Sequence, residues 1–437
     1  MLNSQSERMH LAPGVHLEFQ TPGPQRHFFG YYDKSPIDGD GRRLLCHRTD
    51  FDGRLVDDED RAEVGFWDLE TGEYHPLAET RAFNWQQGSM LQWLGPDSTR
   101  RVIFNDRRED RFVAVVLDLE TGASRDLPTT LYSLDPKGRY AVTPSFERLA
   151  FCRPGYCYAG IRDERWHSDR PPGDGVFRMD LETGDTRRIV ALEELLELQP
   201  LASMAAGEHF VEHMLVNPTG ERFAFLHRWK MDDGGYYSRS LTCDAEGRDL
   251  YLFPDGGFYS HGHWQTERDF VIYGRPAGTF SKVRYSGGWL GATVKPVLRT
   301  FRGLAHRAVG RWAHRQLTPD GFLRITDQSG QRDVIAAPDL PRDGHMSFRP
   351  GDPSWMLVDS YPDPERRQHL MAYHVERQLC RPLGWFVTLA DQQATGYRCD
   401  LHPRWSPCGN RVVIDSLHEG LRQIYVLDVR QALETES

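Results

Sequence analysis

The pentapeptide DLETG recurs at residues 68–72, 118–122 and 180–184, each time closing a run of β-forming residues: VGFWDLETG, VAVVLDLETG and GVFRMDLETG. Self-similarity of this kind restricts a chain to repeat architectures, in which each unit buries its apolar face against the next. A second signature accompanies it in SPIDGDGRRLLCH, LDPKGRYAVTP, VNPTGERFAFLH, LTPDGFLRIT and WSPCGNRVVIDS. Each is a Pro/Gly-containing turn flanked by β-forming residues, the mark of a hairpin.

One unit therefore reads as strand, Pro/Asp/Gly turn, strand, loop, strand ending in Asp, turn, strand, which is a four-stranded antiparallel propeller blade. The spacing predicts an all-β fold, a single seven-bladed β-propeller over residues 1–437, with inner strands starting near residues 27, 83, 131, 213, 261, 345 and 402. QLTPDGFLRIT at 316–326 leaves one boundary open, and an eighth blade is the alternative. The last strand, QIYVLDV at 423–429, is followed only by a short polar tail at 430–437, so the final blade lacks its outer strand. HLEFQT at 16–21 is expected to supply it and close the ring. VALEELLEL at 190–198 has a helical pattern and reads as an excursion between blades.

Composition agrees: 40 Gly and 27 Pro imply many turns, and 39% hydrophobic residues with 11% aromatics suffice for a core. A net charge of −10 without a basic run excludes the electrostatic footprint of a nucleic-acid binder. The N-terminus has no apolar leader region, and no window of about 18 uninterrupted apolar residues occurs, so a cytoplasmic protein without membrane association is expected. Seven scattered cysteines read as reduced thiols; Cys152 and Cys157 form one pair, with no second pair at zinc-site spacing.

The start of each blade in a propeller lies at the axis, so residues hundreds of positions apart meet there. Five starts here carry histidine: His27, His213, His261, His345 and His402. Converging imidazoles attract a divalent ion, with Asp400 as a harder ligand; the plainer alternative is a wet axis whose waters satisfy the rings. Arg107 and Arg239 follow blade openings, and a guanidinium fork suits a carboxylate.

DLHPRWSPCGNRVVIDS, SHGHW, EHMLVNPTGERFAFLHRW and NWQQGSMLQWL resemble the oligogalacturonate lyases, seven-bladed propeller polysaccharide lyases, over nearly the whole chain from His27 to Val429. They are at least as similar to the wider group of ulvan lyases, rhamnose–glucuronate lyases and propeller rhamnosidases. The first resemblance implies a central divalent ion, usually manganese, on His345 and His402. Asp400 stands where a further histidine is expected, and the family's glutamine ligand has no clear match. His261 matches an active-centre histidine, and Arg239 an arginine held to be the base. The second resemblance pairs His27 with His47 and adds Arg107. The tyrosine usual in that group has no counterpart; Gln87 and Gln92 occupy its segment.

The resulting expectation is cleavage of a uronate-containing glycan by β-elimination. It places His27, His47, Arg107 and Arg239 in catalysis, Tyr31, Gln87, Gln92 and His213 against the substrate, and His261, His345, His402 and Asp400 around a divalent ion (manganese, calcium or zinc). An acidic oligosaccharide or polysaccharide is the expected partner. A glycoside hydrolase on the same scaffold and a non-catalytic glycan-binding propeller are the alternatives, since a propeller does not fix its chemistry.

Overall fold

The Asp of each DLETG repeat folds its own turn. In the first copy, Asp68 Oδ1 accepts the amide protons of Glu70 and Thr71 at 2.9 and 3.1 Å, while Gly72 takes a left-handed φ of 71°. Asp118 and Asp180 do the same for Glu120 and Thr121, and for Glu182 and Thr183. A carboxylate that satisfies two turn amides reverses the chain in few residues, so the third strand of a blade passes directly into its outer strand.

The computed structural model describes residues 8–95, 98–231, 235–254, 258–275, 321–335, 339–340, 343–388 and 397–434. Among these, the strands form seven antiparallel sheets. Blade 1 runs through Arg26–Phe28, Arg43–Thr49, Ala62–Asp68 and Tyr74–Thr80. The inner strands of blades 2 to 7 are Gln92–Leu94, Ser133–Leu134, Glu208–Val216, Phe258–Trp264, Met346–Phe348 and Arg404–Trp405. Blade 2 thus begins later than expected from residue 83, because Asn84 and Gly88 close a small bridged loop before the strand. The GFLRIT part of the ambiguous 316–326 segment is the third strand of blade 5, Gly321–Thr326, so it adds no eighth blade; residues 316–320 lie outside the described residues.

Ring closure follows the sequence reading. His16–Gln20 pairs with Gln423–Asp428 as the outer strand of blade 7. One feature was not legible: Met9–Leu11 pairs with Leu379–Val387 as a fifth strand on blade 6, so the N-terminus ties two neighbouring blades. Apolar faces pack between blades, as where Val413, Ile424 and Val426 of blade 7 join Leu44 and Val64 of blade 1 and Val102 and Phe104 of blade 2. The helical pattern at 190–198 forms α1, Leu192–Glu197. It belongs to an excursion over residues 192–207 that packs beside a longer one at 144–174.

The chain from Gly30 to Lys34 leaves blade 1 and enters the axis. The Tyr31 ring stands against the rings of His213, His261, His345 and His402, and Lys34 Nζ lies 5.4 Å from the Tyr132 ring centre on blade 3. Glycine is required at position 30, where φ is +134° and a Cβ would sit 2.6 Å from the Gln87 carbonyl. This segment bridges blades across the middle of the ring, with Tyr32 donating to the Gly262 carbonyl of blade 5 at 2.9 Å.

Candidate metal centre

Two inner strands bulge where their histidines face the axis. Pairing slips between Glu212 and Leu215 in blade 4 and between Tyr259 and Gly262 in blade 5, and His213 and His261 lie within those slips. A bulge re-aims the side chain it carries. His213 and His402 also hold left-handed φ values of 54° and 42°, uncommon for residues other than glycine and tolerated where the surroundings fix them.

One donor atom from each of His345, Asp400 and His402 lies within 4.8 Å of the others, and all three residues are buried. The far side of each imidazole is already committed. His345 Nδ1 lies 3.0 Å from Asp359 Oδ2, and His402 Nδ1 donates to the Gly30 carbonyl at 2.9 Å. The Gly30 carbonyl holds the His402 proton on Nδ1, and Asp359, whose carboxyl burial raises to about 7, does the same for His345 when ionised; Nε2 of each ring then carries a lone pair. Both Nε2 atoms are buried without a hydrogen-bond partner. Burial also disfavours protonation, bringing His345 down to about 4 and His402 well below its usual range. Two neutral, pre-oriented imidazoles and a carboxylate suit a divalent first-row ion. His261 stands beside the group, its ring centre 4.3 Å from that of His345, with Nδ1 3.2 Å from Asp343 Oδ1; it is outside the three-donor cluster.

Around this cluster lies a shell of charge. Arg398 Nε pairs with Asp400 Oδ2 at 2.7 Å, and its Nη2 donates to the Tyr156 hydroxyl at 2.7 Å, with the Tyr361 ring centre 5.6 Å away. Glu212 is buried between Arg153 and Arg228, at 3.1 and 2.9 Å. Burial works against its ionisation, but the two guanidiniums prevail and hold its carboxyl well below the usual range. The Tyr31 hydroxyl meets His213 Nε2 at 2.5 Å; burial raises the phenol well above 10 and lowers the imidazole to about 4, so both are neutral near pH 7.

The other expected residues lie elsewhere. His27 pairs across the strand with Arg48 and His47 with Phe28, so the alternation of a strand sends the two imidazoles to opposite faces of blade 1. The expected partnership of His27 and His47 is corrected by that register. His27 Nδ1 meets Gln423 Oε1 at 3.0 Å and its ring edges onto Trp67. His47 stacks on Phe28 and, through Nε2, accepts the Ser89 amide proton at 3.0 Å, which pins the loop before blade 2. Arg107 donates to the carbonyls of Ala159 and Asp58 and reaches neither histidine. Arg239 is buried, with Nε donating to His227 Nδ1 at 3.1 Å, Nη1 to Leu198 O at 2.6 Å and Nη2 to Leu195 O. Gln87 donates to the Tyr132 hydroxyl at 2.8 Å near the axis, whereas Gln92 donates to the Met90 carbonyl within its own blade.

Sequence reasoning missed Arg153, Tyr156, Glu212, Arg228, Asp343, Asp359, Tyr361 and Arg398. Asp359 carried a signal: WMLVDS of blade 6 repeats RVVIDS of blade 7, and Asp359 and Asp415 stand at corresponding positions in the last two residues of the second strands. Both carboxylates receive main-chain amide protons at the axis, Asp359 from His345 and Asp415 from Phe29.

No protein-family model matches the chain, and no curated protein sequence does. Solved structures do. In fold, the chain is similar to oligogalacturonate lyase. The enzyme from Vibrio parahaemolyticus aligns at a TM-score of 0.61 with 15% identity, over 95% of this chain and 93% of that one. An oligogalacturonate lyase in complex with manganese aligns at 0.62 with 14% identity, over 96% and 94%. The tricorn protease aligns at 0.50 with 12% identity over 94% of this chain but 35% of its own. At these identities the likeness concerns the propeller alone, and chemistry must be argued from the site.

Proposed function

We propose that this protein is a divalent-metal-dependent enzyme that cleaves a uronate-containing oligosaccharide or polysaccharide by β-elimination. The observation that carries this reading is the convergence of His345, Asp400 and His402, whose imidazole tautomers are preset, beside the guanidinium of Arg398. The manganese-bound oligogalacturonate lyase with the same fold supports it.

Elimination at a uronate requires neutralisation of the C6 carboxylate, which acidifies H5, then removal of that proton and protonation of the leaving oxygen. His345, Asp400 and His402 would hold a divalent ion, which when bound would supply a Lewis acid to neutralise that carboxylate. Arg398, 35% exposed, offers a cationic fork on the donor Asp400, and Arg153, 18% exposed, offers a second on Glu212 next to His213. Tyr31 holds a proton at neutral pH and is fixed by His213, which suits it to donate. Arg239 has a donor on each of its three nitrogens committed within the protein, an arrangement that suits an anchor.

The test is a panel of uronate oligosaccharides, galacturonate, glucuronate and rhamnose–glucuronate types, assayed with manganese for the ultraviolet absorbance of the unsaturated product. Reducing ends released without that absorbance identify a hydrolase. Binding without release of either identifies a lectin-like propeller and overturns the enzymatic reading.

A further inference from the structure

Arg107 and Arg239, expected in catalysis, instead hold two excursions, the longer of which reaches Glu212 and Arg398 through Arg153 and Tyr156. From blade 2, Arg107 Nη1 donates to Ala159 O at 2.9 Å, and Nη2 donates to Asp58 O on the neighbouring blade. The fit is close: a Cβ on Gly160 would sit 1.3 Å from Arg107 Nη1. From blade 4, Arg239 donates to Leu195 and Leu198 carbonyls at the end of α1.

The chain of bonds behind Arg239 has one consistent direction. His209 Nε2 lies 2.8 Å from Met204 O, a group that only accepts, so its proton is there and Nδ1 is the acceptor. His227 Nε2, 2.9 Å away, then donates to His209 Nδ1, and His227 Nδ1 accepts from Arg239 Nε. The 192–207 excursion is thus bonded to blade 4 at both its ends. It in turn holds the 144–174 excursion, where Arg170 donates to Ala205 O at 2.6 Å and Leu192 N to Asp174 O at 2.9 Å. Arg148, a neighbour of the site residues in sequence, donates to His209 O at 3.1 Å, and Tyr236 of blade 4 donates to Cys152 O at 2.8 Å.

What this scaffold presents to the axis is Arg153 and Tyr156, the first on Glu212 and the second on Arg398. We propose that Arg107 and Arg239 are positioning residues, that the 144–174 excursion is the element of this protein that recognises an anionic sugar, and that the two arginines set the placement of its Arg153 on Glu212 and its Tyr156 on Arg398. Neither arginine exchanges a proton with substrate. The proposal rests on the uronate-cleaving reading for its ligand, but the latch itself does not.

Four measurements separate the outcomes, using the full-length protein with Arg239→Lys, Arg107→Lys, Gly160→Ala and Arg153→Ala. Hydrogen exchange over residues 144–207 reads the latch without substrate, and it rises in Arg239→Lys and Arg107→Lys while the other blades keep their protection. Calorimetry with manganese alone gives an unchanged Kd in all four variants. Titration with a digalacturonate in the presence of manganese gives a Kd weakened by at least about tenfold for Arg153→Ala, the expected order for removing one partner of a charged contact. The anchor variants weaken it too, and Arg239→Lys combined with Arg153→Ala costs less than the sum of the two. In turnover, KM rises and kcat falls little for the anchors. Lost kcat at unchanged KM and unchanged exchange makes Arg239 a proton-transfer residue and overturns the proposal, as does strict additivity. If the wild type binds no uronate while exchange still rises, the substrate reading fails and the latch stands; unchanged exchange sinks the latch whatever the substrate.

Discussion

Blade 1 and the far side of the axis both bury histidines, and their side chains are equally dry, yet they offer opposite chemistry. On blade 1, His27 and His47 face away from each other: His47 is spent on Ser89 and Phe28, whereas His27 bonds Gln423 through Nδ1, edges onto Trp67 and keeps a buried, unbonded Nε2 that joins no donor cluster among the described residues. At the axis, His345 and His402 are held from behind by Asp359 and Gly30, and their free nitrogens converge with Asp400. Burial alone therefore says little about function in a histidine. What matters is whether a free nitrogen is brought together with other donors.

That contrast breaks most visibly on removal of a donor. His402→Ala or His345→Ala is expected to abolish stoichiometric manganese binding in calorimetry and to lower turnover by at least about 10²-fold. His27→Ala and His47→Ala leave the metal affinity where it was. Metal binding that survives the axial substitutions but is lost with His47 would reverse the assignment of the two regions.

A finer test removes the support and keeps the donors. Asp359→Asn still fills the space behind His345 but weakens the hold on its Nδ1 proton, and metal affinity is expected to fall by about 10–100-fold. An unchanged manganese Kd would show that the rings are oriented by packing alone.

Smaller effects are expected on the structural side. His47→Ala leaves the Ser89 amide and the Phe28 face without their partner, and should cost about 1–3 kcal/mol in urea unfolding with no change in metal Kd. Acid provides the last comparison. Burial lowers His27 and His47 to about 4, whereas the unfolded chain titrates near 6.5, so the unfolded state binds more protons between those values. Stability from these two residues is complete above about pH 6.5 and is lost as pH falls towards 4, at up to about 1.4 kcal/mol per pH unit for each. In the presence of chelator, His47→Gln should flatten this slope in urea midpoints taken between pH 7 and pH 5; an unaltered slope would show that His47 is already charged or solvated.

Much of the architecture was legible because strands and turns are local. The Asp of DLETG caps a turn three residues long, so its recurrence marked the blades directly, and the missing outer strand of blade 7 pointed to the N-terminus. The site was legible in part. A residue's position at or just before the start of a blade is local, and it brought His213, His261, His345, Asp400 and His402 to one place, which Tyr31 reaches from the segment after the inner strand of blade 1. Arg398, two residues before Asp400, and Glu212, beside His213, stood next to these positions and were passed over because nothing in their spacing sets them apart from surface charge.

The amino-acid order by itself determined the repeat, the closing strand and four of the five blade-opening histidines that meet at the axis, since each depends on strand periodicity and turn chemistry within a few residues; His27, the fifth, instead lies against Gln423 and Trp67. Only the tertiary structure decided which of those histidines keep a free nitrogen, and that Arg107 and Arg239 turn away to hold carbonyl groups. Those outcomes depend on partners from distant blades, such as Gly30 behind His402 and Leu195 ahead of Arg239. A polar side chain deep in a protein takes whichever partner satisfies it best, and no spacing along the chain names that partner.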